Sequence, residues 1–265
     1  MGGPADGPLL LLCHATGFCA RAYGRLAAEM ARHFHVLGPD FRGHGETAPF
    51  ADKSFDWSEM AGDLVAVANF AMAELAGPAG LFGFGHSLGG ALILLAEAAR
   101  PGLFEAAYLY EPIVLPDDLT ESSGSPLAEA ARRRRRAFGS RAEALYRYSS
   151  RPPLDSFQAG ALFDYVEHGF EQGEQGVVLR CAPEDEAATY EASGKPRLSE
   201  LDGLKTRCRF ACGSQDEERQ GPSSWAPAIA AALGASFERH GQMGHFGPLE
   251  DPRRVGADVI RFLGS

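Results

Sequence analysis

The run Gly85-His86-Ser87-Leu88-Gly89 places a hydroxyl between small residues where an apolar tract (79–85) gives way to a helical pattern (88–100). A strand that turns at once into a helix forces its corner residue toward a strained backbone, and glycines two positions away on each side relieve the crowding. Such a corner lifts the serine Oγ out of the sheet, beside the N–H groups that open the helix. The pattern G-x-S-x-G alone is common, and a tight βα turn could need the glycines for shape only. The strand before it and the helix after it favour the chemical reading, with Ser87 as a nucleophile.

A serine hydroxyl is a weak nucleophile near neutral pH and needs a base. Of the eight histidines, His33 and His35 flank a strand start, His44 lies in a tight turn, His86 sits in the corner itself and His168 lies far from it in the chain. His245, in the late glycine-rich loop "QMGHFGP", is the expected base. An imidazole in that role needs a carboxylate to fix its tautomer. Two acids fall between serine and histidine at strand ends, the order expected for a serine on such a turn. Asp216, in the loop after "RFACG", is the preferred acid, and Glu111, closing "AAYLYE" before Pro112, is the alternative. Acyl chemistry also needs donors for a developing oxyanion. These are expected from the backbone N–H groups of Leu88 and of Thr16 in "HATGF", with Ala15 as a substitute for Thr16. His14 is expected to organise that loop. Phe18, Tyr23, His86 and Phe246 are expected to line the substrate pocket.

The elements that must position these groups alternate. "LLLLCH" (9–14) reads as a strand buried on both faces, residues 23–32 as a helix, 34–40 as a strand, 56–77 as a long helix, 79–85 and 105–111 as strands around the helix at 88–100. Strand and helix signals resume at 206–213, 223–234 and 236–240 and close on a terminal helix. Each group above falls just after a strand, where an open parallel sheet keeps its working edge. Residues 113–201 break the rhythm with helical pieces, the run Arg132 to Arg136 and one weak strand signal at 176–180. The expected organisation is an α/β core (1–112 and 202–265) with a mainly helical cap insertion (113–201). "PDFRGHGET" is assigned a structural turn, and the arginine run a solvated face before an anion site.

With 265 residues, 45% hydrophobic and 23% charged, the chain can bury one large core. A formal charge of −10 argues against nucleic acid or an anionic membrane as the main partner. No signal peptide or membrane span is recognised, so a cytoplasmic location and a small-molecule substrate are expected, the chain acting as a monomer or homodimer. Five cysteines without a CxxC pair read as free thiols.

"HATGF", "DFRGHG", "GHSLGG" and "GHFGPLEDP" together resemble the α/β-hydrolase superfamily across nearly the whole chain outside the insertion. "GHSLGG" with "YLYEP" is similar to its serine esterase and lipase-like branch, near peroxisomal lipase-like proteins and fungal toxin-biosynthesis hydrolases. The resemblance implies a mostly parallel sheet flanked by helices, a Ser-His-acid triad, no metal, no organic cofactor and a cap over the pocket. Ester, lactone or thioester hydrolysis is the implied reaction. C–C bond hydrolysis, acyl transfer, lyase chemistry or a non-catalytic ligand-binding role are the alternatives. Two departures stand out: the two antiparallel strands that usually precede the first parallel strand are missing, and "GSQDEERQG" is an unclear acid loop.

Overall fold

The computed structural model describes residues 1–75, 80–119, 124–215 and 221–264. Its main sheet has six strands in the order β2-β1-β3-β4-β8-β9, every neighbouring pair parallel. The strands are β1 (Leu9–Cys13), β2 (His35–Leu37), β3 (Leu81–His86), β4 (Ala106–Tyr110), β8 (Arg207–Gly213) and β9 (Ser236–His240). β1 and β4 are buried along their whole length, which is why they read as unbroken apolar runs.

Helices cover both faces. One layer holds α1 (Gly24–Met30) and α10 (Pro252–Leu263), which pack on Leu10, Leu12, Phe84 and Tyr108. The other holds α2 (Trp57–Glu74), α3 (Leu88–Ala99) and α8 (Pro222–Ala232), over Leu9, Leu11, Leu109 and Phe210. The alternation of residues along β1 between these two cores is the period-2 geometry of a strand covered on both sides. Asp56 caps α2, its carboxylate accepting from the Ser58 and Glu59 N–H groups. At the β2 edge Val36 pairs antiparallel with Gly2, donating at 2.8 Å and accepting at 3.3 Å.

Between β4 and β8 lie α4 (Pro126–Arg132), α5 (Arg141–Tyr148), α6 (Ala159–His168) and α7 (Pro183–Glu191). They are accompanied by a second sheet, ordered β5-β7-β6, formed by β5 (Ala137–Phe138), β6 (Phe170–Gly173) and β7 (Gly176–Leu179). The sequence pattern predicts a mainly helical segment here with one weak strand. Two partners of that strand escape a pattern search because β5 is two residues long and "FEQG" carries no alternating apolar signal. The arginine run is distributed rather than presented as one face. Arg132 pairs with Glu191 at 2.5 Å, Arg133 with Glu129 at 3.6 Å, Arg134 with Glu186, and Arg135 with Glu143 at 2.8 Å. No helix among the described residues is long and apolar enough to cross a membrane.

Candidate active site

Ser87 stands between β3 and α3 with φ 53° and ψ −114°, a backbone that L-residues adopt only under constraint. Its flanking glycines are required by packing. A Cβ at Gly85 would lie 2.5 Å from the Gly90 Cα, and one at Gly89 would overlap the Cys13 carbonyl at the end of β1. The serine is held from both sides, its N–H donating to the Tyr110 carbonyl at 3.0 Å and its carbonyl accepting from Ala91 and Ile113.

Glu111 follows β4 and is likewise forced to a positive φ, 44°. Its own N–H donates to the Ala211 carbonyl at 2.8 Å, which fixes the residue between β4 and β8. The side chain is buried, with Oε2 2.6 Å from His245 Nδ1 and Oε1 accepting the Gly213 N–H at 2.9 Å. Burial alone would raise this carboxyl, but the bonds from His245, Gly213 and Ser223 outweigh it, and its pKa is lowered. A carboxylate there makes Nδ1 the proton-bearing nitrogen of His245 and leaves Nε2 the basic one in the neutral ring. Asp216, the preferred acid of the sequence reading, lies outside the described residues.

His245 sits in the loop after β9, its side chain 29% exposed. Its ring is 4.9 Å, centroid to centroid, from that of His86, the residue before Ser87. Ser87 and Glu111 thus follow the neighbouring strands β3 and β4, and the loop after β9 brings His245 back across β8 to Glu111, all at the C-terminal edge of the sheet.

The loop after β1 completes the arrangement. Ala15 cannot serve as the substitute donor, because its N–H is taken by the Tyr23 hydroxyl at 3.1 Å. Among the described residues, neither the Thr16 nor the Leu88 N–H has a hydrogen-bond acceptor. His14 organises this loop as expected: Nε2 accepts from the Phe41 N–H at 3.1 Å and Nδ1 donates to the Ala15 carbonyl at 2.8 Å. Burial, with repulsion from His44, pushes its pKa down to about 3, so it stays neutral. "PDFRGHGET" is structural: Asp40 accepts from Ala20 and Glu46, and Arg42 bridges Glu59 and Asp63.

Two expected pocket residues are corrected. Tyr23 and His86 are fully buried, and their polar atoms are spent on each other and on backbone. Neither presents surface to a ligand in this structure. Phe18 and Phe246 lie in an aromatic cluster with Phe157 and Tyr165, at centroid separations of 5.0–6.0 Å. Arg134 was not singled out by the sequence. Its guanidinium bonds Glu186 and the Tyr165 hydroxyl and lies against Gly17, next to Thr16. Among the described residues no cluster of three His, Cys, Asp or Glu side chains is placed to hold a metal ion.

A model of the alpha/beta hydrolase family matches residues 10–258. The chain belongs to this family. The magnesium-chelatase 30 kDa subunit of Rhodobacter capsulatus is 35% identical over 99 residues, 37% of this chain and 33% of the relative. Protein phosphatase methylesterase 1 of Mus musculus is 32% identical over 98 residues, 36% of this chain and 25% of the relative. The matched segments therefore span a third or less of these relatives. Among solved structures, E-2-(acetamidomethylene)succinate hydrolase superposes with a TM-score of 0.80 at 17% identity, covering 100% of this chain and 93% of that one. A peroxisomal alpha-beta-hydrolase of Saccharomyces cerevisiae gives 0.81 at 16% identity, with 98% and 78% covered. The thioesterase domain of the curacin biosynthetic pathway gives 0.76 at 15% identity, with 97% and 92% covered. These likenesses establish the fold, and the site must be argued from its own geometry.

Proposed function

We propose that this chain is a serine hydrolase of the esterase and lipase-like branch, cleaving a small-molecule carboxylic ester, lactone or thioester through an acyl-enzyme. The observation that carries the reading is the His245 Nδ1 to Glu111 Oε2 bond of 2.6 Å, beside a serine held at φ 53°. Glu111 holds His245 in the tautomer whose Nε2 can take the Ser87 proton. Ser87 Oγ then attacks the acyl carbon. The Leu88 and Thr16 N–H groups receive the oxyanion, already fixed in place by the corner and the loop. Collapse of the adduct expels the alcohol or thiol, which leaves with the proton from His245. Water, deprotonated by the same imidazole, then releases the acid. The segment 113–201 acts as a cap. Phe18 and Phe246, with Phe157 and Tyr165 from that segment, give the acyl side an apolar aromatic wall.

The related methylesterase and the similar thioesterase domain act on acyl groups by name, in line with this class. The test is hydrolysis of p-nitrophenyl acetate and butyrate. Wild type is expected to turn both over and Ser87→Ala to lose activity by on the order of 10⁴-fold or more. Equal rates in the two proteins would end the proposal.

A further inference from the structure

We infer that Tyr23 and His86 are positioning residues that lock the oxyanion loop to the histidine loop, an inference that rests on the roles proposed for Ser87, His245 and Glu111.

Their hydrogen bonds can be ordered without ambiguity. His86 Nε2 lies 2.8 Å from the His245 carbonyl, which can only accept, so Nε2 carries a proton. Burial and the neighbouring His245 hold the His86 pKa well below its usual value, so the ring is neutral and Nδ1 is an acceptor. The Tyr23 hydroxyl, 2.7 Å away, must therefore donate its single proton to Nδ1. Its oxygen is left to accept the Ala15 N–H at 3.1 Å. The result is one directed chain: Ala15 amide to phenol, phenol to imidazole, imidazole to the His245 carbonyl. Reversing any member would leave both of its neighbours unmatched.

The chain joins what the proposed reaction must keep in register. At one end it takes the Ala15 N–H out of use, so that the loop's proposed oxyanion donor is the Thr16 N–H and not its neighbour. At the other it holds the backbone of His245, while Glu111 holds the ring of the same residue. Both bridging side chains are fully buried, so water cannot stand in for a lost bond. His86 is also the last residue of β3, immediately before Ser87. The histidine of "GHSLGG" thus serves the neighbouring serine through two loops and never by contact with a ligand.

Three variants, compared at equal folded fraction, separate this from mere burial. Tyr23→Phe breaks the chain at the phenol. His86→Asn keeps an acceptor near Nδ1 but cannot reach the His245 carbonyl, whereas His86→Gln can reach it with an amide N–H. With p-nitrophenyl acetate, Tyr23→Phe and His86→Asn are expected to lower kcat about 10- to 100-fold with KM changed by less than about threefold. His86→Gln should recover a substantial part of that loss. Nitrogen-15 NMR of the wild type should show His86 neutral and protonated at Nε2 from pH 6 to 8. Folded Tyr23→Phe and His86→Asn with kcat within about twofold of wild type, or His86 protonated at Nδ1, would overturn the inference. A wild type that neither hydrolyses the ester nor reacts with a fluorophosphonate would instead overturn the hydrolase reading, while the NMR result would still report on the chain of bonds.

Discussion

Two buried carboxylates in this protein each face a histidine, and they differ in what else meets them. Asp258, on α10, is surrounded: Tyr108 donates its hydroxyl at 2.7 Å, Arg209 lies at 2.9 Å, Arg261 is bonded to it, and His240 Nε2 is 3.6 Å away. His240 is as buried as its partner, at 3% exposed. Glu111 meets His245, the Gly213 N–H and Ser223 but, among the described residues, no cationic arginine, and its histidine is 29% exposed. Asp258 sits in an ordinary helix, whereas Glu111 is held at φ 44° beside a serine at φ 53°. A histidine–carboxylate pair is therefore no sign of chemistry by itself. The pair placed for the proposed chemistry is the one whose histidine is partly exposed and whose carboxylate is mounted on strained backbone. The closed pair holds the terminal helix to the sheet.

The contrast can be broken by substituting one member of each pair. Glu111→Gln is expected to lower kcat by about 10²- to 10⁴-fold, because the tautomer and the imidazolium both lose their support. Asp216→Asn, at equal folded fraction, should cost less than about tenfold. The opposite ranking would move the acid to Asp216. Asp258→Asn should leave kcat per folded molecule unchanged and instead lower stability by about 2–3 kcal/mol, as read from urea denaturation.

The pH dependence sharpens the same comparison with a smaller effect. Burial raises the Asp258 carboxyl, but His240, Tyr108, Arg209 and Arg261 outweigh it, and its pKa falls from 3.8 to about 2. A carboxylate lowered in the folded state contributes its full stabilisation above the unfolded value and loses it as pH falls through the folded one. The stability gap between wild type and Asp258→Asn should hold from pH 7 to 5 and close progressively between about pH 4 and 2. A gap that stays constant over that range would mean that Asp258 contributes by packing, not by charge.

Much of this architecture was legible in the residues. The period-2 and apolar runs located all six main strands, and "GHSLGG" marked the corner because close packing against Gly90 and Cys13 leaves no room for side chains there. The proposed acid was less legible. Asp216 and Glu111 both follow strands, and only the register of β4 against β8 places Glu111 beside the Gly213 amide and under His245. Tyr23 and His86 read as pocket residues for a related reason. An aromatic ring with a polar tip fits a pocket wall and a buried bridge equally well, and the choice depends on partners 8 to 159 residues away in the chain. Arg134 was hidden in a run of five identical residues, of which this one turns toward Gly17.

The most direct test is intact and peptide-level mass spectrometry after treatment with a fluorophosphonate. A single adduct carried by Ser87, forming quickly in wild type and far more slowly in Glu111→Gln, is the predicted result. An adduct on another residue, or a Glu111→Gln protein labelled as fast as wild type, would contradict the assignment of Ser87, His245 and Glu111 as one reacting unit.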